Sequence, residues 1–362
     1  VAKDDSDRRT TIHDIARQAG VSAGTVSRVI NRQPGVGAAT RSRIEEMVSA
    51  AGFTASVSAQ QLSTGRSRLL GVVFPVEMSR IVVHPVYPQL LAAIGDAAAE
   101  RGHAVLLATT PSHDRLDQML DVLMRHRVDG IILPAAGPDD PLIPALANLD
   151  SRTVLIGHRS DDERLRWVDS DHDVAAYRLT RHLIEQGRRR LWHLGGPNEV
   201  SAARLRASGF TKAIEEAGDT VEWSNAETIS FDTGLAVARA RTFLTDPSGS
   251  PDAVICGSDL IAAGVLTAAR ELGISVPSSL AVTGFDDLDL AAHTVPALTS
   301  VRMPLQALGT AAVSLLLDYP TSVTPRSVLL ETDILYRGST EPFPLAHASG
   351  RVASQKKYQE KE

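Results

Sequence analysis

The sequence predicts a small all-α head followed by a larger α/β body of two similar lobes built on parallel sheets. Three observations predict it. Residues 11–51 carry helical periodicity with cap residues at helix starts. From Leu69 onward, short apolar runs alternate with longer helical patterns. The segments HRVDGIILP and GSPDAVICGSD form a weak internal repeat, each a break followed by a buried strand, which predicts two lobes. With 362 residues the chain suits two or three domains, and 43% apolar with 22% charged residues excludes a disordered or fibrous chain.

In the head, Thr11 and Asp14 form a capping box that starts a helix with Ile12, Ile15, Ala16 and Ala19 on one face. Gly20 ends it in the left-handed conformation, and Ser22 caps a second helix whose apolar face is Val26, Val29 and Ile30. A third helix is expected at about 38–51, with Ile44, Met47, Val48 and Ala51 inward. Two short helices across a tight glycine turn have helix-turn-helix spacing. The second helix is expected to expose Ala23, Gly24, Thr25, Ser27 and Arg28. Small residues let the backbone approach the major-groove floor, Arg28 can pair with a guanine, and the hydroxyls can bond phosphate. The alternative is an unspecialised three-helix unit. Gly20 to Gly24 also match the Gly-x-Ser-x-Gly nucleophile elbow, but that motif needs a strand before Ser22, and helical periodicity stands there instead.

The net charge of −6 hides an asymmetry: residues 1–66 hold nine Lys/Arg against six Asp/Glu, while residues 67–362 hold 28 against 37. A basic head thus precedes an acidic body, which places a nucleic-acid footprint on the head. Between them, residues 54–66 are small and polar with one large apolar residue, Leu62. Free, such a segment is a tether. Docked on DNA it can fold, with Ser56 as cap, Ala59 leaving a low surface, Leu62 wedged in the minor groove and Arg66 on phosphate.

In open α/β sheets ligands bind beyond the carboxyl ends of strands, which points to His84 to Tyr87, His158 and Arg159, Ser258 and Asp259, and Phe285 to Asp287. No catalytic set assembles there, and no dinucleotide, Walker A or zinc-protease motif is present, so an enzyme is not expected. The pair GG at 195–196 before Pro197 reads as a turn. Asp286 can accept two hydroxyl hydrogens and Arg206 can donate a rigid fork, chemistry that suits a polyhydroxylated ligand. Each has a plainer alternative, a local backbone cap for Asp286 and an ordinary ion pair for Arg206. Asp169 and Asp171 can mark either the lobe crossover or the pocket. The lone Cys256 forms no internal disulfide and reads as a buried apolar residue in a reducing compartment. A polar N-terminus and the lack of a long apolar run predict a cytosolic protein with no membrane partner.

TVSRVIN in the second helix, AQQL in the linker, LLGVVFP, SAARLRASGF and VTGFDD resemble the lactose/galactose repressor family from about Thr11 to Thr340. The resemblance implies a sequence-specific DNA-binding transcription regulator, a homodimer on a near-palindromic operator, needing no cofactor. It implies a repressor of carbohydrate uptake or catabolism genes released by a sugar-type effector. A corepressor-dependent regulator responding to a nucleoside or purine is the alternative; a solute-binding protein without a DNA role and a hydrolase are the options from other classes. The body resembles periplasmic sugar-binding proteins, with three crossovers between lobes. Implied boundaries are an arm at 1–10, the helix-turn-helix domain at 11–54, a hinge helix at 55–66, a body at 67–338 and a tail at 339–362. The N-lobe would take about 67–168 and 304–332, the C-lobe about 169–303 and 333–338.

By the same resemblance Ala23, Gly24 and Arg28 read bases, Thr25 and Asn31 meet the backbone, and Leu62 enters the minor groove. Thr11, Ser22, Ser27, Thr40, Arg41, Ser56, Ala59, Gln60 and Arg66 complete the DNA candidates. Ala55-Ser56 and Gln60 depart from the usual Pro-Asn and arginine, which implies a weaker hinge or an altered base preference. The effector candidates are His84, Tyr87, His158, Ser170, Arg206, Ile229, Ser258 and Asp286. His158 stands where aspartate is usual, Ser258 where asparagine is usual, and Ile229 where an aromatic often stacks on the ligand. No leucine heptad follows Thr340, so the expected assembly is a dimer.

Overall fold

The computed structural model describes residues 10–31, 33–51, 67–109, 116–134, 137, 139–148, 152–247, 249–318 and 326–340. The hinge candidates Ser56, Ala59, Gln60, Leu62 and Arg66 and the tail from 341 lie outside the described residues.

The head holds α1 (Ile12–Ala19), α2 (Ala23–Ile30) and α3 (Ala38–Ala50). The Thr11 hydroxyl accepts from the Asp14 amide at 3.3 Å, and Asp14 Oδ2 accepts from the Thr11 amide at 3.0 Å, closing both halves of the capping box. Gly20 takes φ 63°, and the Val21 amide then reaches the Ala16 carbonyl at 3.0 Å. Ser22 Oγ accepts from the Thr25 amide at 3.1 Å, so this serine is a helix cap, and the residues before it form α1 rather than the strand an elbow needs. Ile15, Ala16, Ala19, Val26, Val29 and Ile44 form the buried centre, with Val21, Ala23, Met47 and Val48 packed around it. Ala51 differs from expectation. It follows the last turn of α3 and is exposed, because the three-helix core is already closed by Ile44.

The body contains two six-stranded sheets among the described residues. The first uses β1 (Leu69–Phe74), β2 (Ala104–Thr109), β3 (Gly130–Pro134), β4 (Thr153–Ile156), β5 (Arg166–Ser170) and β11 (Ser327–Leu330), in the order β11-β5-β4-β3-β1-β2. The second uses β6 (Arg190–Gly195), β7 (Trp223–Thr228), β8 (Ala253–Cys256), β9 (Ala281–Asp286), β10 (Thr299–Arg302) and β12 (Asp333–Leu335), in the order β12-β10-β9-β8-β6-β7. Neighbours pair in parallel at β1–β3, β3–β4, β4–β5, β5–β11, β6–β7, β6–β8, β8–β9 and β9–β10, while β12 runs antiparallel to β10. Central strands buried on both faces read as continuous apolar runs, which is why LLGVVF, GIILP and AVIC stand out in the sequence.

With the first sheet go α4 (Met78–Val83), α5 (Val86–Glu100), α7 (Leu142–Ala147) and α13 (Leu305–Leu317), while α6 (Leu116–Arg125) follows β2 in the chain. Around the second lie α8 (His172–Glu185), α9 (Ser201–Ala217), α10 (Thr233–Leu244), α11 (Asp259–Glu271) and α12 (Asp289–His293). The chain passes between lobes three times, from β5 to α8, from β10 to α13 and from β11 to β12. Asp171 at the first passage accepts from the Thr332 hydroxyl at the third, at 2.7 Å. The first sheet keeps the chain through Ser170, two residues beyond the expected lobe boundary, because β5 pairs with β11 as far as that residue. The tail likewise starts later than 339: Ser339 and Thr340 are buried, and Ser339 Oγ donates to the Val282 carbonyl at 2.6 Å.

Helices α8 and α9 pack so closely that a Cβ on Gly209 would stand 2.1 Å from the Asp173 carbonyl oxygen. Backbone cannot move aside like a side chain, so Gly209→Ala should cost about 1–3 kcal/mol in urea denaturation. Unchanged stability would mean that the helices slide apart freely. No helix among the described residues is long and apolar enough to cross a membrane.

Candidate functional site

On the head, Gly24 and Arg28 are exposed along α2, whereas Ala23, Thr25 and Ser27 are only half exposed. Ala23 packs on the core, Thr25 Oγ1 lies 2.9 Å from Ser22 Oγ, and Ser27 Oγ accepts from Asn31 Nδ2 at 3.3 Å. A Cβ on Gly24 would meet only Ser22 Oγ, at 3.6 Å, so packing within the head does not require glycine there. Thr40 lies in the first turn of α3, and Arg41 donates to the Gln33 carbonyl at 2.7 Å, tying α3 to the loop after α2.

In the body a cleft of about 850 Å³ opens between the lobes. Pro75, Val76, Arg80, His84, Tyr87, Asp139 and Asp140 line it from one side, Pro197, Glu199, Arg204, Phe231 and Asp232 from the other. His84 lies 5.1 Å from the Tyr87 ring and 5.4 Å, edge to face, from the Phe231 ring. Neither His84 ring nitrogen has a hydrogen-bond partner among the described residues. Burial, helped by the Arg206 charge, lowers its pKa to about 4, so the ring is neutral at pH 7. Burial also raises the Tyr87 pKa, keeping the phenol protonated.

Arg206, on α9, is the most constrained side chain of the set. It donates to Asp286 Oδ1 at 3.1 Å and to the Gly257 carbonyl, its Nε lies 3.4 Å from His172 Nδ1, and its guanidinium carbon sits 3.7 Å from the Phe285 ring centroid. Asp286 ends β9 at φ 107°, a conformation rare for a side-chain-bearing residue, and Asp287 follows at φ 51°. Two arginines hold that turn: Arg302 and Arg337 each bind the Asp287 carboxylate, at 2.7 and 2.6 Å. Burial pushes the Asp286 pKa up to about 6 while Arg206 pulls it down, leaving the pair ionised at pH 7. Arg206 and Asp286 are therefore ion-pair partners, the arginine reaching from α9 to the carboxyl ends of β8 and β9, and neither is among the residues that line the cleft.

The remaining effector candidates divide. His158 joins the lobes through a 3.0 Å contact between its Nδ1 and Ser201 Oγ. Ser170 is fully buried, and its hydroxyl has no partner among the described residues. Ser258 caps α11, accepting from the Ile261 amide at 3.3 Å. Ile229 packs against the second lobe's core and does not line the cleft, whereas Phe231, two residues on, packs on that core and also lines the cleft opposite Tyr87. The signal for it was present in the Gly-Gly pair. A Cβ on Gly196 would stand 2.2 Å from Phe231 Cζ, so this glycine makes room for the ring. Cys256 is buried in the same core, and burial raises its thiol pKa well above the usual range.

Asp259 lies beneath the pair, wholly buried, accepting from Ser300 Oγ at 2.6 Å and from the Leu288 amide at 2.7 Å. Burial first, then the Asp286 charge, raises its pKa to about 8, so it carries a proton at neutral pH. The folded protein thus holds a proton that the unfolded chain releases near pH 4, and stability should fall as pH rises from about 4 to about 8. Asp259→Asn should flatten that decline in thermal melts between pH 5 and 9; an unchanged slope would assign the loss to other groups. Among the described residues no group of three or more His, Cys, Asp or Glu is arranged to hold a metal ion.

Residues 11–56 match the family described as bacterial regulatory proteins, lacI family, and residues 180–340 match the periplasmic binding protein-like domain. The HTH-type transcriptional regulator CelR of Thermobifida fusca is 32% identical over 340 residues, covering 92% of this chain and 98% of its own. The ribose operon repressor of Escherichia coli K12 is 29% identical, with 91% and 99% covered. Among solved structures, a complex of the transcriptional regulator CelR with cellobiose aligns at a TM-score of 0.69 and 30% identity, covering 91% of this chain and all of that one. The lac repressor dimer bound to operator and the anti-inducer ONPF aligns at 0.81 with 24% identity, covering 92% and 99%, a likeness of fold. By identity across nearly the whole of both chains, this chain belongs to the lacI family of bacterial regulatory proteins and is a DNA-binding transcription regulator, not an enzyme.

Proposed function

We propose that this regulator is a cytoplasmic homodimeric repressor of carbohydrate genes, released when a neutral sugar binds between the lobes. The observation that carries the ligand class is the buried Arg206–Asp286 pair, a rigid donor fork beside a carboxylate acceptor, near a neutral His84, whose ring nitrogens have no partner among the described residues, and the Phe231 face. Sugar hydroxyls both donate and accept, and the apolar face of a pyranose stacks on an aromatic ring. The relative solved with cellobiose and the ribose operon repressor support a carbohydrate effector. In this reading Arg28 and Gly24 meet base edges, Thr11, Ser22, Thr25, Asn31, Thr40 and Arg41 lie toward phosphates, and two heads bind a near-palindrome because a two-fold protein requires two-fold DNA.

Sugar binding favours one lobe arrangement over the other; a preference of ~100-fold supplies ~2.7 kcal/mol, enough to shift operator affinity. Titration calorimetry with cellobiose, D-ribose, nucleosides and purines, repeated with operator DNA, tests the proposal. A sugar that binds the free protein and weakens its hold on operator is the expected result. A nucleoside or purine that binds and strengthens operator binding would replace it with corepression.

A further inference from the structure

The first lobe crossover carries a polar chain that reaches the effector pair. From Asp286 it runs to Arg206 at 3.1 Å, and from Arg206 Nε to His172 Nδ1 at 3.4 Å. His172 Nε2 then lies 3.3 Å from Asp169 Oδ1, and Asp169 Oδ2 accepts from Arg159 Nε at 2.9 Å. Arg159 also donates from Nη2 to the Ser170 carbonyl at 3.0 Å and to Asp173 Oδ1 at 2.9 Å. Asp169 is on the last strand before the crossover, His172 opens the helix after it, and Arg159 follows β4 in the first lobe. Asp169, His172, Arg206 and Asp286 are all buried, so water offers no substitute partner.

We propose that His172 is a positioning residue that transmits occupancy of the Arg206–Asp286 pair to the lobe crossover and to Arg159. The role rests on the effector site proposed above. An effector hydroxyl that draws the Arg206 fork off its present partners changes what Nε presents to His172 Nδ1. Arg206 has only N–H donors, so His172 Nδ1 must be the acceptor, and its proton then sits on Nε2, facing Asp169. Burial lowers the pKa of this imidazole, which favours the neutral ring, and the Arg206 donor sets its tautomer. A shift at Arg206 is thereby passed as a shift of the ring against the Asp169 carboxylate, whose other oxygen holds Arg159. Both contacts of the ring are long, and Asp169 Oδ1 has no well-formed hydrogen bond among the described residues, so the joint has slack for such movement.

Amide hydrogen exchange of the full-length protein tests this by reading residues 157–162, for which no contact with Arg206 or Asp286 is found among the described residues; because His158 in this stretch is itself an effector candidate, the comparison between wild type and variants carries the test. In the wild type, saturating cellobiose should slow exchange there by about fivefold or more, within the usual range of coupling between sites. In His172→Gln, which keeps an N–H toward Asp169 but lacks the Nδ1 acceptor, and in Arg159→Gln, which cuts the far end, cellobiose should slow exchange around 284–288 only. A merely structural His172 would shift the baseline of 157–162 and leave its response intact, and that result overturns the proposal. A second arm needs no ligand: Asp286→Asn should change exchange at 157–162 in the wild-type background and not in the His172→Gln background. An equal change in both backgrounds overturns the relay. Failure of cellobiose to bind the wild type counts against the sugar reading, while the second arm still decides the role of His172.

Discussion

Arg206→Ala is expected to destabilise the body by about 3–5 kcal/mol at pH 8 and to abolish the sugar response. Both partners of the pair are buried, with side chains 7% and 5% exposed, so removing the guanidinium strands the Asp286 carboxylate without its cation. It also removes the donors to Gly257 and the packing over Phe285. A loss of that size is a large part of the 5–15 kcal/mol typical of a folded domain. Its pH dependence has a definite sign. Arg206 lowers the pKa of Asp286, so without it the carboxyl titrates above the present value of about 6. Below that new value Asp286 is protonated and the penalty shrinks, so urea denaturation should show a smaller loss at pH 5 than at pH 8. The double variant Arg206→Met, Asp286→Asn should recover much of the stability at pH 8 and still bind no sugar by calorimetry. Wild-type stability of Arg206→Ala at pH 8 would mean that solvent reaches the pair freely.

Arg28→Ala should do the opposite, leaving the fold intact and removing specific operator recognition. The side chain is exposed on α2, outside the core of Ile15, Val26, Val29 and Ile44, so the stability change should stay within about 0.5 kcal/mol. A bidentate arginine–guanine contact contributes about 1–3 kcal/mol of discrimination, and a dimer carries two, so specific affinity should fall by roughly 2–6 kcal/mol. Fluorescence anisotropy on an operator selected from random DNA would measure the loss, alongside binding to unrelated DNA. Specific binding should drop toward the unrelated level, with base preference relaxed at one position in each half-site. An unchanged preference would take base reading away from Arg28.

The helical head was legible because its determinants are local. Thr11 with Asp14, Gly20, Ser22 with Thr25 and the face of Ile15, Ala19, Val26 and Val29 act over three or four residues, and the structure forms each of them. Ala51 was misread because periodicity extends a face past the point where the core is already closed. In the body the buried strands were legible as apolar runs, and so was the place of Asp286 at the carboxyl end of one of them. Ile229 and Phe231 lie two residues apart, and only packing decides that the phenylalanine lines the cleft beside Gly196.

The basic head, the acidic body, the family and the candidate residues Arg206 and Asp286 were all present in the sequence by itself, because charge, helix caps, strand runs and short motifs are properties of neighbouring residues. Tertiary structure alone decided that Arg206 meets Asp286 across 80 residues of chain and His172 across 34. It alone decided that burial raises the Asp259 pKa to about 8, and that His84 meets Phe231 from the other lobe with no hydrogen-bond partner on either ring nitrogen among the described residues. The physical reason is shared by all of these: burial and long-range pairing set the strength of a charge or a hydrogen bond, and neither is defined until distant segments have packed together.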